Sequence, residues 1–199
     1  MEITKRKTLT GSRYLSFVLN DEEYCIEILK IKEIMGMTDI TTIPQTPEFI
    51  KGVINLRGQI IPIIDLRLKF EMPYKDYNDR TCIVVVELNY EEEMTLMGIV
   101  VDSIQEVINI PEEKISQVPF INAKIKSEYI NGIAETGESI KIVLDITKVI
   151  TEEEFVMLKD IDKSRTVKNT AKFEDDKNAK DDNFAKTKAG EKGKKPVKK

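Results

Sequence analysis

The chain of 199 residues is long enough for one domain or two small ones, and its 31 Lys and Arg residues against 35 Asp and Glu residues give a net charge of −4. It contains no histidine, which excludes Ser-His-Asp triads, Cys-His pairs, imidazole metal sites and histidine acid–base catalysis. The charge is divided, since residues 160–199 hold thirteen basic and eight acidic side chains whereas residues 1–159 carry −9, which disfavours nucleic-acid binding by the body of the protein.

The first half of the chain has the patterning of β-strands. Ile and Val are abundant and residues 1–159 contain only two alanines, which favours a strand-rich fold. Apolar residues alternate in residues 14–19, so we expect a strand there, then a turn at residues 20–23 and a second strand from Tyr24. The isoleucines of residues 28–34 recur at near-helical spacing, which predicts a short helical segment.

Residues 52–65 contain two apolar runs that flank Arg57-Gly58-Gln59. This arrangement predicts a β-hairpin whose turn has Gly58 at a positive φ. Pro62 cannot donate a ladder hydrogen bond, so we expect the second strand at a sheet edge or Pro62 at an irregularity. Further strands are expected at residues 82–88, 95–101, 129–134 and 140–144.

An internal repeat organises the chain. Residues 48–53 resemble residues 128–133, and Asp65 and Asp145, each at the end of an apolar strand, are also eighty positions apart. A second pair of matching segments is 73 positions apart: residues 31–34 and residues 104–107. Two copies of a five-stranded unit of about 70 residues suit closed barrels, because closure removes exposed sheet edges. Chance similarity between Ile-rich strands is the alternative.

These patterns divide the chain into four parts, and they leave open whether strands exchange between the two barrels. Thr151 and the three glutamates after it predict the start of a short helix. Large apolar residues are few beyond residue 159, which predicts disorder. The parts are a first barrel half at residues 13–78, a second barrel half at residues 79–150, the short helix at residues 151–159 and a disordered Lys-rich tail at residues 160–199.

No catalytic or cofactor-binding constellation stands out. Residues 190–195 resemble a phosphate-binding loop but lack its glycine spacing and the Ser or Thr after the lysine. Asp65 and Asp145 end equivalent strands, so a turn or capping role explains them better than a catalytic dyad does. Cys25 and Cys82 lack a CxxC partner and are expected to be small buried hydrophobes. We therefore expect neither an enzyme nor a cofactor or metal site, and a function that resides in binding surfaces.

Several motifs together resemble the CheW family of chemotaxis coupling proteins, over about residues 14–158. The most specific are Asp-Glu-Glu-Tyr at residues 21–24, Ile-Leu-Lys-Ile-Lys-Glu-Ile at 28–34, Thr-Pro-Glu-Phe-Ile-Lys-Gly-Val-Ile-Asn-Leu-Arg-Gly at 46–58, Ile-Ile-Asp-Leu-Arg at 63–67 and Gly-Ile-Val-Val-Asp at 98–102. The resemblance implies a mainly all-β fold of two SH3-like five-stranded β-barrels with short helices, and no catalysis.

The resemblance also implies an adaptor that couples chemoreceptors to a histidine kinase. In this family one surface binds the regulatory domain of the kinase and another binds the helical hairpin tip of the receptor. We expect a cytoplasmic chain, monomeric when free and recruited to receptor arrays at the inner face of the membrane, because we see neither a secretory signal nor an apolar run of ~20 residues. Ten residues are assigned to partner binding: Ile31, Glu33, Gly52, Asn55, Arg57, Gly58, Cys82, Gly98, Ile104 and Val107.

The groove between the barrels, lined by Ile31, Ile104 and Val107, is assigned to the receptor tip, and Cys82 is expected near the docking site of the kinase. Structural alternatives exist. The three groove residues are equally explained as core residues. Gly52 and Gly98 are equally explained by close strand packing or a bulge, and Glu33 as a solvated charge at the rim. Arg57 is alternatively an exposed turn residue, but a hairpin tip is a poor place for a planar five-donor group without a carboxylate partner.

A nucleic-acid-binding protein with a small barrel and a lysine-rich tail is the alternative function. The negative body of the chain weakens it, as does the absence of tryptophan, because few aromatic side chains remain for stacking on bases. Salt-sensitive binding of RNA or DNA that vanishes when residues 160–199 are deleted would favour it.

Overall fold

The structure is a computed structural model and describes residues 11–90, 93–117, 127–137 and 139–158. The tail at residues 160–199 lies outside these ranges. The strands are β1 (Ser12–Leu19), β2 (Glu22–Glu27), β3 (Ile31–Gly36), β4 (Ile50–Leu56), β5 (Gln59–Asp65), β6 (Cys82–Tyr90), β7 (Glu93–Val101), β8 (Ser103–Ile110), β9 (Ile115–Ser116), β10 (Ile130–Thr136) and β11 (Ser139–Leu144). The helices are α1 (Leu66–Lys69) and α2 (152–158), with 3₁₀ turns at Ile28–Lys30, Glu112–Lys114 and Ser127–Tyr129.

The strands form two sheets, which confirms the mainly all-β prediction and is consistent with two SH3-like barrels. One sheet has the order β3-β6-β7-β5-β4 and the other the order β8-β1-β2-β11-β10-β9. Each sheet buries its own apolar cluster, because the β-branched strands present alternate residues to one face. The predicted strands after residue 80 are present as β6, β7, β10 and β11.

The repeat is visible in the strand order, and the hairpins are exchanged between its two copies. The strands β3, β4 and β5 correspond to β8, β10 and β11, and the hairpin β6–β7 corresponds to the hairpin β1–β2. In each sheet the three former strands come from one half of the chain and the hairpin comes from the other half. A parallel pairing joins the hairpin to its sheet in both cases, β7 to β5 and β2 to β11.

Asp65 and Asp145 have the same local role, as the repeat predicts. The Asp65 carboxylate accepts a hydrogen bond of 2.9 Å from the Arg67 N–H at the start of α1. The Asp145 carboxylate accepts one of 3.1 Å from the Thr147 N–H. Both aspartates therefore cap the turn that follows their strand, which confirms the capping interpretation.

The helical prediction for residues 28–34 is wrong beyond its first turn. Ile28–Lys30 forms a 3₁₀ turn, but Ile31–Gly36 is the strand β3. Along β3 half-buried and exposed residues alternate, which is the period of a strand. Pairing with β6 decides the conformation here, because the first half of β6 is apolar and buried and needs a neighbour on this side.

Pro62 lies in an interior strand, so of the two predicted alternatives the edge strand is not observed. The irregularity is observed, because the register of β4 with β5 shifts between Ile50 and Gly52, next to the partner of Pro62. β5 has β4 on one side and β7 on the other. Pro62 is opposite Val53, whose N–H and C=O both bond to Thr41 instead, so this pair exchanges no ladder bonds. The pairing of β5 with β7 begins only at Ile63, so no neighbour requires the missing N–H of Pro62.

Two nearly buried cationic side chains, Arg67 and Lys69, attach the helix α1 to other parts of the chain. The Arg67 guanidinium donates to both carboxylate oxygens of Asp102, in the turn between β7 and β8, with an Nε–Oδ1 distance of 2.6 Å. The backbone N–H of Asn20, in the turn between β1 and β2, donates to the same carboxylate at 3.0 Å. The Lys69 ammonium donates to both Glu154 oxygens at 2.6 Å. Each bidentate pair ties α1 to a distant part of the sequence.

Candidate functional site

Four of the predicted binding residues meet where the tip of the β4–β5 hairpin approaches β3. The Arg57 guanidinium donates to the Glu33 carboxylate at 3.1 Å, and both side chains contact solvent. The Asn55 side-chain oxygen accepts a hydrogen bond of 2.8 Å from the Gly58 N–H, which closes the turn. Gly58 has φ +90°, as predicted, and Arg57 has φ +53°. Asn55 and Gly58 build the turn that presents Arg57.

Arg57 therefore has the carboxylate partner that the sequence did not reveal. Glu33 is 24 residues away along the chain, and the pair forms only because β3 and the β4–β5 hairpin belong to one sheet. The Arg57 side chain is 80% exposed. An ion pair this exposed adds little stability, so it is better suited to orienting the guanidinium at the surface than to holding the fold.

A groove of about 380 Å³ lies beside this pair, at the same end of the five-stranded sheet. Four apolar side chains line it: Leu56, Val85, Met94 and Leu96. A second ion pair joins Lys32 to Glu87 at 2.5 Å and also lines the groove. Met94 is 64% exposed, so the groove offers apolar surface to solvent. This set, with Glu33 and Arg57, is called the Arg57 groove below.

Sequence reasoning missed Lys32, Glu87 and Met94 as site residues. Lys32 follows Ile31 on β3, and its partner Glu87 is 55 residues away on β6. Their pairing depends on the antiparallel match of β3 with β6, which no local pattern predicts. Met94 and Leu96 share one face of β7, a period-two signal that was present in the sequence but did not distinguish an exposed residue from a buried one.

Gly52 and Gly98 are buried, and close packing accounts for both. Gly52 has φ +137°, and a Cβ atom there would lie 2.1 Å from the Thr41 carbonyl oxygen. A Cβ atom on Gly98 would lie 2.4 Å from Ile63 and 2.9 Å from Ile83. Neither glycine offers a side chain to a partner, so the packing alternative is the one that the geometry supports.

The three predicted apolar contact residues lie on the terminal strands of the two sheets. Ile31 is half-buried on β3, and Ile104 is half-buried on β8. Val107, also on β8, is 52% exposed, and its equivalent on β3 is Ile34, which is 43% exposed. Core packing therefore does not explain Val107. A single groove that contains all three residues stays a prediction.

The two cysteines differ in their surroundings. Cys25 is fully buried, as expected, and burial raises the pKa of its thiol to about 12. Cys82 is half-buried at the start of β6, and its thiol contacts the Arg80 carbonyl oxygen at 3.2 Å. β6, which begins at Cys82, pairs with β3 of the first half in the five-stranded sheet.

Among the described residues, no group of three or more Cys, Asp and Glu side chains is arranged to hold a metal ion. Within the same ranges, no helix has both the length and the apolar character needed to cross a membrane.

The comparisons agree with one another. Residues 13–154 match the family model described as a CheW-like domain. The chemotaxis protein CheW of Klebsiella aerogenes is 41% identical over 154 residues, which cover 77% of this chain and 90% of that protein. The chemotaxis protein CheW of Treponema pallidum is 36% identical over 146 residues, or 72% of this chain and 85% of that protein. The crystal structure of the scaffolding protein TtCheW from Thermoanaerobacter tengcongensis superposes with a TM-score of 0.66 at 33% identity and covers 73% of this chain and 97% of its own. The chain therefore belongs to the CheW-like domain family, a family of chemotaxis scaffold and adaptor proteins and not of enzymes.

Proposed function

We propose that this chain is a cytoplasmic adaptor that holds two proteins at once, the regulatory domain of a chemotaxis histidine kinase and the hairpin tip of a chemoreceptor. Membership of the family supports the coupling role in general. Two surfaces with different chemistry, which share the strand β3, support two different partners. Coupling between them requires that each partner bias a shared arrangement, typically by ~1–3 kcal/mol.

The Arg57 groove is the surface assigned to the kinase, and it is the observation on which the proposal depends. Its apolar floor contains Met94, which is largely exposed, and burial of this side chain would favour association. The two ion pairs beside it, Glu33 with Arg57 and Lys32 with Glu87, place both signs of charge around the apolar centre. An apolar centre with a charged rim is the usual composition of a protein–protein interface.

The equivalent turn of the six-stranded sheet differs at the two positions that can be matched to Leu56 and Arg57. Eighty positions after Leu56 and Arg57, the equivalent turn has Thr136 and Gly137. At these two positions the six-stranded sheet therefore presents neither the apolar side chain nor the guanidinium. This difference supports the assignment of one partner to one end only.

The terminal strands β3 and β8 are assigned to the receptor tip. Their exposed apolar residues, Ile34 and Val107, occupy equivalent positions, with Ile31 and Ile104 half-buried beside them. A helical hairpin can bury one apolar stripe against such residues while its charged faces remain in water.

The test compares variants in separate pull-downs with a purified kinase regulatory domain and with a receptor tip fragment. Arg57→Glu and Met94→Asp are expected to lose the kinase domain and to keep the receptor fragment. Ile31→Asp and Val107→Asp are expected to do the reverse. Ile140→Asp is the matched control, because Ile140 is 62% exposed, close to Met94 in its exposed fraction, but lies on β11 outside both surfaces.

Stability must be measured alongside binding. Arg57→Glu should change the free energy of unfolding in urea by less than ~1 kcal/mol, because its ion pair is exposed. A loss of binding at unchanged stability then reports on the surface itself. Variants that all bind both partners as the parent chain does would show that these surfaces are not the contacts.

A further inference from the structure

The Arg57 groove contains the most exposed methionine of the described residues. Met94, on β7, is 64% exposed, whereas Met97, three residues further along the same strand, is fully buried. The remaining methionines in the described ranges are all less exposed than Met94: Met35, Met37, Met72 and Met157. Within these ranges, the thioether of Met94 is therefore the one most open to a water-soluble reagent.

Met94 lines two grooves at once. One is the Arg57 groove, and the other is a smaller groove of about 210 Å³ that also contains Leu29, an apolar side chain that is largely exposed. Glu87 lines both grooves as well. A small molecule that enters either groove therefore meets the side chain of Met94.

The thioether of methionine is oxidised to a sulfoxide in a two-electron step. With hydrogen peroxide, the sulfur lone pair attacks one peroxide oxygen, the O–O bond breaks, and the other oxygen leaves as water. The sulfur loses two electrons and the peroxide gains them. Methionine sulfoxide reductases reverse the change with a dithiol, which becomes a disulfide while the sulfoxide oxygen leaves as water.

The surroundings of Met94 make this change costly when a partner covers the groove. The other apolar side chains of the groove are Leu56, Val85 and Leu96, and its two cations, Lys32 and Arg57, are already paired with carboxylates. A sulfoxide oxygen covered by a partner there would lose its hydrogen bonds to water, which is unfavourable. In the free chain the same oxygen stays in water, so oxidation should weaken binding and leave folding stability nearly unchanged.

We propose that Met94 is a site of reversible oxidation by peroxides, and that its sulfoxide weakens the contact of this chain with the kinase regulatory domain. The inference rests on the proposed function, because the Arg57 groove is the surface assigned there to the kinase. The residues assigned to the receptor tip are all aliphatic, so oxidation of methionine should leave receptor binding unchanged: Ile31, Ile34, Ile104 and Val107.

The first measurement is the rate of oxidation at each methionine. The intact chain is incubated with hydrogen peroxide and analysed over time by peptide mapping with tandem mass spectrometry. Met94 should be converted about tenfold faster than Met97 or more, since Met97 is the buried control on the same strand. An excess of the kinase domain should slow the conversion of Met94. Equal rates at Met94 and Met97 would overturn the proposal.

The second measurement is the Kd for the kinase domain and, separately, for the receptor tip fragment. Peroxide treatment of the parent chain should raise the Kd for the kinase domain about tenfold or more and leave that for the receptor fragment unchanged. Reductases that act on both sulfoxide epimers should restore the original Kd. For Met94→Leu the ratio of the Kd after peroxide to that before it should stay near one. A ratio as large as that of the parent chain would assign the effect to another residue, such as Cys82, and overturn the proposal.

Met94→Asp separates this inference from the proposed function. If Met94→Asp loses the kinase domain but the oxidised parent chain binds it as tightly as the reduced chain does, the inference is wrong and the surface assignment stands. If Met94→Asp and Arg57→Glu both bind the kinase domain as the parent chain does, the surface assignment is wrong and the inference falls with it. Urea unfolding is measured before and after oxidation, and a loss of cooperative unfolding would also overturn the proposal, which requires that the oxidised chain stay folded.

Discussion

At the scale of single residues, a methyl group on Gly52 would have nowhere to go. The position combines φ +137° with a Thr41 carbonyl oxygen 2.1 Å from the place of the missing Cβ. We expect Gly52→Ala to lower the free energy of unfolding by about 3 kcal/mol, measured in urea. Gly36→Ala is the matched control, because no atom lies within 4 Å of its Cβ position, and it should change stability by less than ~0.5 kcal/mol. Equal effects at the two glycines would contradict this account.

Residues close in sequence were predicted better than residues that meet through the fold. The Asn55–Gly58 turn follows from its own composition, and the structure has it. The pairing of Glu33 with Arg57 spans 24 residues and that of Glu23 with Lys141 spans 118, so neither leaves a local pattern. The sequence shows where the charged residues are, but which of them form ion pairs depends on the order of the strands in the sheets.

At the scale of elements, the Arg67–Asp102 pair should make stability depend on pH. Burial raises the pKa of Asp102, but hydrogen bonds from Arg67 and from the Asn20 N–H outweigh it and hold the pKa below its ordinary value. The folded state therefore gains stability above the ordinary pKa of about 4, and loses it as the pH falls through the lower folded value. Asp102→Asn should lower the free energy of unfolding at pH 7 by about 3 kcal/mol, because the buried Arg67 loses its charge partner.

The measurement is urea unfolding at a series of pH values from 7 to about 2. The asparagine variant should lose less stability below pH 4 than the parent chain does, since its side chain takes up no proton. Asp39→Asn, at an exposed position, should follow the parent curve at every pH. Parallel curves for Asp102→Asn and the parent would show that this carboxylate is not the source of the acid sensitivity.

Element types were predicted well where the local sequence pattern is sufficient, and poorly where pairing with another strand decides the conformation. The hairpin β4–β5 and the strands β6, β7, β10 and β11 follow from apolar runs and turn residues. The strand β3 was missed because Ile28, Ile31 and Ile34 match a helical period, and only the pairing with β6 overrides it. For Pro62 the sequence left an edge strand and an irregularity both open, because it does not show where the β5–β7 pairing begins.

At the scale of the whole molecule, the repeat could be read from the sequence but the exchange of hairpins could not. Both copies have the same order of strand types, so the same patterns describe a hairpin that stays in its own half and one that leaves it. The exchange is visible in pairings such as Cys25 with Val143, which are more than a hundred residues apart.

The exchange predicts that neither half of the chain folds alone. Residues 11–78 lack the hairpin that completes the five-stranded sheet, and residues 79–158 lack the one that completes the other. Each fragment should show no cooperative unfolding, whereas an equimolar mixture should form a one-to-one complex with the circular dichroism of the intact chain. Size-exclusion chromatography measures the formation of the one-to-one complex, and urea unfolding measures cooperativity. A fragment that unfolds cooperatively by itself would contradict the prediction.

The difference between the Arg57 turn and the Gly137 turn has a consequence for any larger assembly. Two ends with the same backbone would, with identical side chains, accept the same neighbour in either of two orientations. Of the two matched turns, the β4–β5 turn carries a guanidinium at Arg57 where the β10–β11 turn has Gly137, and this difference removes the ambiguity. A neighbour that recognises this guanidinium would therefore bind one of the two turns and not the other, which would give any assembly built on this chain a fixed direction.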